Sequence, residues 1–302
     1  MNESDMQNFS KNHLVSILLP TYNRGSTINK CIESIINQTY LNWELIILDD
    51  CSTDDTQNII EYYVNLSRKI KYYKNKTHKG LPGTRNIGLA LSKGDLIFFV
   101  EDDLELDREC LSILVETYSR LSKNFPVGGI APRLISDNDA GKSGKIEPFI
   151  FNRYTGEIEN NYSINLDNVV ETITLHACSL YERKKLLEIG GYGSDIFIGN
   201  YFREETDLNW RLRKKGYHLF FQSKAIAFHR RYDFGGCRHK SLLKSEYFTI
   251  RNHLMFLKRN FGLKFFYMCP IFLGSRPLKY FHNFLKRTFQ KTINLFSRSR
   301  KN

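Results

Sequence analysis

The sequence predicts an α/β fold: a doubly wound, mostly parallel sheet with helices on both faces, followed by a basic, aromatic C-terminal helical tail. Short apolar runs alternate with stretches of helical periodicity from residue 14 to about 104, as in a parallel sheet wound with crossover helices. Several runs stop at acids or turn residues, and open α/β sheets place their ligands beyond such strand ends. The positive charge gathers at the other end of the chain. Residues 234–302 carry 15 Lys and Arg against the single acid Glu246, so their +14 exceeds the net +12 of the whole chain. The preceding residues are close to neutral, which separates a body (14–232) from a tail (233–302) behind a polar leader (1–13).

Leu14 to Leu19 is a short strand stopped by Pro20, and Thr21-Tyr22-Asn23-Arg24-Gly25 is turn chemistry. Ile28, Ile32, Ile35 and Ile36 recur at helical spacing, so residues 27–38 are expected to be helical with Ser26 or Thr27 as the cap. Leu45 to Leu48 is the next strand, followed by Asp49, Asp50 and a helix over 54–65 capped by Ser52 or Thr53. Ile70 to Tyr73 reads as a third strand. Residues 80–94 pass from a Gly/Pro loop into a short helix, with Gly94 expected at the left-handed closing position.

Leu96 to Val100 then runs directly into Glu101, Asp102 and Asp103. A continuous apolar run fits a strand covered on both faces. Three adjacent acids repel one another unless a cation sits among them, so the triplet is either a metal-holding strand end or a solvated acidic turn. Leu111, Leu114, Val115 and Tyr118 mark another helix, and Val127 to Ala131 another strand. Residues 137–168 are polar and read as an inserted hairpin or loop beside the cleft. A strand is expected over 172–180, a helix over 182–188 and a turn at Gly190-Gly-Tyr-Gly193. In Glu204 to Gly216, acids load the first turn and bases the last, in the order that suits a helix dipole. Residues 217–228 alternate as a closing strand that delivers His229.

Composition narrows the function classes. With 302 residues, 41% of them hydrophobic, the chain can bury a substantial core and is not disordered. No stretch reaches the ~20 apolar residues that span a bilayer, and no basic-then-apolar leader opens the chain, so a cytoplasmic protein is expected. The six cysteines form no Cys-x-x-Cys pair, which argues against a zinc site or a disulfide framework. The confinement of positive charge to the tail gives no reason to expect specific nucleic-acid binding.

Six stretches together resemble the family 2 glycosyltransferases, whose fold is GT-A. They are Val15 to Arg24, Ile47 to Asp54, Gly83-Thr-Arg-Asn-Ile-Gly88, Phe99-Val-Glu-Asp-Asp103, Gly190-Gly-Tyr192 and Glu204-Glu-Thr-Asp-Leu-Asn-Trp-Arg211. They stand in the family's order over residues 14–230. The resemblance implies an inverting enzyme that moves a sugar from a nucleoside diphosphate, with a UDP-linked donor expected, to a hydroxyl of a glycan or lipid-linked acceptor. Mn2+ or Mg2+ would offset the charge of the departing diphosphate. It also implies a nucleotide-sugar half at 14–104 and an acceptor half at 105–232.

Residue by residue, the resemblance puts Pro20, Thr21 and Tyr22 around the nucleobase and makes Asp50 the acceptor of its hydrogen bond. Arg85 would face the diphosphate, Asp102 the donor sugar or ribose, and Asp103, Glu101 and His229 the metal. Glu205 takes the catalytic-base position, with Glu204 or Asp207 as the alternative base, and Glu204, Asp207 and Trp210 stand on the acceptor side. The sequence departs from the family's commoner pattern in having Glu101 where aspartate opens the acidic motif, and Glu-Glu where Glu-Asp is usual. Plainer readings coexist: Asp49 or Asp50 as a helix cap, Arg85 as a solvated helix residue, and Glu204, Glu205 and Asp207 as complements of the helix dipole.

The tail interleaves Lys279, Lys286, Arg287 and Lys291 with Tyr280, Phe281, Phe284 and Phe289. It suits either a segment lying on anionic lipid at the inner face of the cell membrane or amphipathic helices packed on the body. Two other functions compete with glycosyl transfer. A sugar-phosphate nucleotidyltransferase would require a Gly-rich basic loop after the first strand, which Thr21 to Ser26 does not supply. A non-catalytic anion- or membrane-binding protein would bind no nucleoside diphosphate through a metal.

Overall fold

The computed structural model describes residues 13–136, 147–230, 232 and 241–277. Its first half is a regular β/α alternation: β1 (Val15–Thr21), α1 (Ile28–Ile36), β2 (Trp43–Asp49), α2 (Thr56–Leu66), β3 (Ile70–Lys74), α3 (Gly80–Leu91) and β4 (Leu96–Phe99). The second half is less regular. It runs β5 (Leu104–Leu106), α4 (Cys110–Leu121), β6 (Val127–Ser136), a hairpin of β7 (Phe149–Phe151) and β8 (Ile158–Asn160), β9 (Val170–Thr172), β10 (Ser179–Glu182), α5 (Arg183–Glu188), α6 (Glu204–Lys214), β11 (His218–His229) and α7 (Leu242–Phe261).

The main sheet has the order β3-β2-β1-β4-β10-β6-β11-β5, with β9 also paired to β11. β1 lies parallel to β2 and β4, and β2 to β3, so the first four strands form the expected parallel half. β10 runs antiparallel between β4 and β6, while β6 and β11 are parallel again. The alternation of side chains along β1 divides the core. Val15, Ile17 and Leu19 pack with Ile28 and Ile32 of α1, Ile60 of α2 and Leu111 and Leu114 of α4. Leu18 faces the other way, toward Leu89 of α3, Leu186 of α5 and Leu208 and Leu212 of α6. Helices therefore cover both faces, as the buried apolar strands require. The fold is the doubly wound, mostly parallel α/β architecture expected of the sequence.

Of the described residues, 13–150 and 159–256 make one compact unit, and 151–158 with 257–277 make another. Within the first, α7 buries Asn252 and His253, and the Phe256 ring meets Trp210 edge-on at 5.7 Å. In the second, Phe151 stacks on Phe261 at 5.8 Å and Met268 and Phe272 are buried. Residues 265–277 are helical; the basic and aromatic residues singled out between 279 and 291 lie outside the described residues.

Several local expectations need correction. The acid-tipped strand stops at Phe99, one residue early, leaving Val100 in the turn. Residues 172–180 are not one strand, because the chain bends between β9 and β10 and buries Thr174 and His176, the latter bonded through Nε2 to the Pro132 carbonyl at 2.7 Å. The caps differ as well. α2 starts behind Asp55 rather than Ser52 or Thr53, and α3 ends at Ser92 in extended backbone, so Gly94 is no left-handed cap. A Cβ on Gly94 would stand 2.5 Å from the Leu14 carbonyl oxygen and 2.6 Å from the Ser16 nitrogen. Glycine is needed there so that the start of β4 can approach β1.

Candidate active site

The parallel strands end on one side of the sheet, where the turns after β1, β2 and β4 open into a cavity of about 580 Å³. Its lining includes Pro20, Thr21, Tyr22 and Arg24 from the first turn and Asp50 from the second, with Glu101, Asp102 and Asp103 from the third. His229 arrives from the end of β11, and Glu204 and Glu205 from the start of α6.

The two acids after β2 divide their work. Asp49 is buried and accepts hydrogen bonds from the Ser52 amide (2.7 Å) and the Tyr72 hydroxyl (2.8 Å), so it shapes the turn. Asp50 caps no helix of its own turn and reaches across to the loop before α3. Its Oδ1 accepts from Asn75 Nδ2 (2.8 Å) and the Lys79 amide (2.7 Å), and its Oδ2 accepts from the Gly80 amide (2.8 Å). His78 Nδ1 stands 2.9 Å from the same Oδ2, with its ring tilted against Tyr22 at 5.1 Å.

At the acidic end of β4, the guanidinium of Arg24 enters the cluster. Its Nε donates to Asp102 Oδ1 at 3.1 Å, and its Nη2 lies 3.7 Å from Asp103 Oδ2. Burial raises the Asp102 carboxyl to about 6 against the pull of Arg24, with the Asp103 charge adding to the rise. Burial also pushes Glu101 up to about 7, and Asp103 pushes the same way while Arg85 opposes. Asp103 Oδ2 faces His229 Nε2 at 3.4 Å. Both residues line the cavity.

α6 begins under backbone strain. Tyr201 (φ 54°) and Arg203 (φ 75°) adopt left-handed conformations that cost a non-glycine residue on the order of 1–3 kcal/mol. Nearby contacts hold this turn in place: Arg203 Nε bonds His253 Nδ1 at 3.2 Å, and Asn252 Nδ2 donates to the Ile198 carbonyl at 2.8 Å. Glu204 turns inward and pairs with Arg85, whose Nη1 is 2.5 Å from Glu204 Oε1 and whose Nη2 is 3.7 Å from Glu101 Oε1. Arg85 is fully buried, and its charge is held firmly by Glu204 despite the desolvation that opposes it. Glu205, half-buried, turns to the cavity.

Among the predicted residues, the cavity thus gathers Pro20, Thr21, Tyr22, Asp50, Glu101, Asp102, Asp103, Glu204, Glu205 and His229. Arg85 sits beneath that surface. Asp207 is buried and bonded by Arg211 Nε at 2.8 Å, and Trp210 packs against Phe256; neither lines the cavity. The structure adds Arg24, His78, Tyr201 and Phe202 to the lining. Arg24 is the cation of the turn that follows β1, a signal the turn motif carries; His78 lies in a polar loop with no periodic pattern to mark it.

A model of the family described as "Glycosyl transferase family 2" matches residues 16–190. The chain belongs to this family. A UDP-Glc:alpha-D-GlcNAc-diphosphoundecaprenol beta-1,3-glucosyltransferase, WfgD of Escherichia coli, is 34% identical over 140 residues, which are 42% of this chain and 54% of that one. The GalNAc(5)-diNAcBac-PP-undecaprenol beta-1,3-glucosyltransferase of Campylobacter jejuni is 31% identical over 160 residues, 47% of this chain and 49% of the relative. The chain spans about half the length of these curated relatives. Among solved structures, GalNAc-T7 with UDP, GalNAc and Mn2+ superposes with a TM-score of 0.69 at 18% identity, covering 88% of this chain and 50% of that chain. The S. aureus TarS 1-349 complex with UDP-GlcNAc gives 0.58 at 17% identity, covering 86% and 71%. This family 2 member therefore has the GT-A fold.

Proposed function

We propose that this protein is an inverting glycosyltransferase that moves a sugar from a UDP-linked donor to a hydroxyl of a lipid-linked or surface glycan. The observation that carries the reading is the meeting, in one cavity, of the acidic end of β4 with His229 and of Glu205 from the start of α6. One side suits a departing diphosphate and the other an attacking hydroxyl.

Mn2+ and Mg2+ are hard ions that take oxygen ligands and few protein side chains. Among the described residues no cluster of three or more His, Cys, Asp or Glu is arranged to hold a metal by itself. Asp103 and His229 present two donors 3.4 Å apart, and hard divalent ions at nucleotide sites commonly take one or two protein ligands and complete their shell with phosphate and water. The residues fit such an ion, with Glu101 beside them. When bound, it would offset the negative charge gathering on the diphosphate.

The chain's own groups account for the rest. Tyr22 and Asp50 frame the nucleobase, and Asp102, anchored by Arg24, faces the donor sugar or ribose. Glu205 withdraws the proton from the attacking hydroxyl, a role for which a carboxylate at a helix N-terminus is suited. Arg85 acts at one remove, fixing Glu204 and with it the turn that presents Glu205. Single displacement needs no covalent nucleophile. The nucleotide-sugar half is then residues 14–104 and the acceptor half 105–232.

No helix among the described residues is long and apolar enough to cross a membrane. Exposed Leu263, Phe266, Tyr267 and Ile271, with Lys258, Arg259 and Lys264 close by in the chain, support peripheral contact of residues 234–302 with anionic lipid. Loss of liposome flotation on truncation after 262 is the expected result.

A panel of nucleotide sugars, screened for thermal stabilisation with Mn2+, tests the main reading. A UDP-sugar is expected to raise the melting temperature; no response to any nucleotide sugar contradicts it.

A further inference from the structure

A carboxylate offers roughly four acceptor positions, and all those of Asp50 are occupied within the chain. Asn75 Nδ2 and the Lys79 amide take Oδ1, and the Gly80 amide takes one side of Oδ2. The remaining side faces His78 Nδ1 at 2.9 Å. The same nitrogen lies 3.2 Å from the backbone carbonyl of Asp50. Both neighbours only accept, so Nδ1 carries the proton. A nucleobase N–H therefore finds no position on Asp50 unless one partner leaves.

Three of the four partners cannot leave cheaply. Two are backbone amides at the start of α3, and Asn75 is buried and also donates to Thr84 Oγ1 at 3.0 Å. His78 differs: its side chain is 55% exposed, and it is a side chain rather than a backbone group, so it can leave by rotation about its own bonds. Its ring also rests against Tyr22, the aromatic surface a base would use, with centroids 5.1 Å apart.

We propose that His78 is an internal stand-in for the nucleobase, holding the Asp50 and Tyr22 contacts until the donor's base displaces it. This rests on the reading of the cavity as a nucleoside-diphosphate site. A flat ring with one N–H toward Asp50 keeps the buried carboxylate satisfied, where an unmet acceptor would be costly. The same contact lowers donor affinity, because binding must first break it. His78 is thus a specificity-determining residue: bases with a ring N–H, such as uracil or guanine, replace its bond to Asp50, and bases without one do not.

Calorimetry on the full chain with Mn2+ tests this, titrating UDP, GDP and inorganic pyrophosphate into wild type and His78→Ala. The variant is expected to bind UDP or GDP tighter, on the order of tenfold, because no histidine bond need be broken. Pyrophosphate, which has no base, is expected to bind both proteins equally. A variant that binds the nucleotide no tighter overturns the stand-in role alone, as does equal tightening toward pyrophosphate. If neither protein binds UDP or GDP, the nucleotide-site reading falls and this inference falls with it.

Discussion

Arg85 Nη1 and Glu204 Oε1 meet at 2.5 Å in the interior, at 0% and 2% exposure, and tie α3 to the first turn of α6. Removing one partner of a buried pair strands the other charge without water. Glu204→Leu is expected to cost about 3–5 kcal/mol in urea denaturation, and adding Arg85→Met should recover most of it. A single variant as stable as wild type would show that the pair does not hold this junction.

Gly94 tests the packing of β4 on β1. A methyl group there would stand 2.5 Å from a backbone oxygen, and neither strand can shift without losing ladder bonds. Gly94→Ala is expected to destabilise the chain by about 1–3 kcal/mol in the same assay. A neutral effect would mean that the two strands separate more easily than their register implies.

At the start of the neighbouring β2, Glu44 accepts from Ser16 Oγ (2.7 Å), the Lys93 amide (2.8 Å) and Lys71 Nζ (2.5 Å). Burial pushes its carboxyl up, but the bonds from Lys71, Ser16 and Lys93 together hold it below the usual range. A depressed carboxylate stabilises the fold above its unfolded value of about 4.3, and that contribution fades as pH falls through the lower folded value. Glu44→Gln should therefore be less stable than wild type at neutral pH, with the gap narrowing in acid. A gap that widens in acid would contradict the assignment.

The parallel half of the fold is legible because its strands are short apolar runs, although β1 runs through Pro20, paired with Leu48, to Thr21, and β4 stops at Phe99 before the acids. β10 is not. Its four residues pair antiparallel with β4 and β6, and partners distant in sequence leave no local trace of direction. Gly94 departs from its expected cap for a related reason: a glycine after a helix and a glycine under a neighbouring strand look alike until the strand is in place. Residues at the strand ends that the sequence marks, such as Asp50 and Glu101 to Asp103, line the cavity. The motif around Arg85 points it at the cavity; the structure buries it against Glu204, 119 residues away, a partner no local pattern marks. Asp207 and Trp210 share the helix of Glu205, yet the helical turn points them to Arg211 and Phe256 instead.

Asp103 and His229 make a separate claim. If they hold the divalent ion, chelation should abolish transfer, Mn2+ or Mg2+ should restore it, and Asp103→Asn should require far more metal for the same rate. Full activity in chelator would remove the metal from the account.

The central claim is that Glu205 serves the attacking hydroxyl while the acidic end of β4 holds the departing diphosphate. Its most direct measurement compares sugar transfer and UDP binding by wild type and Glu205→Gln at saturating donor and metal. Loss of the base is expected to slow transfer by roughly 10²–10⁴-fold with UDP affinity unchanged. Transfer by Glu205→Gln at the wild-type rate would contradict the claim.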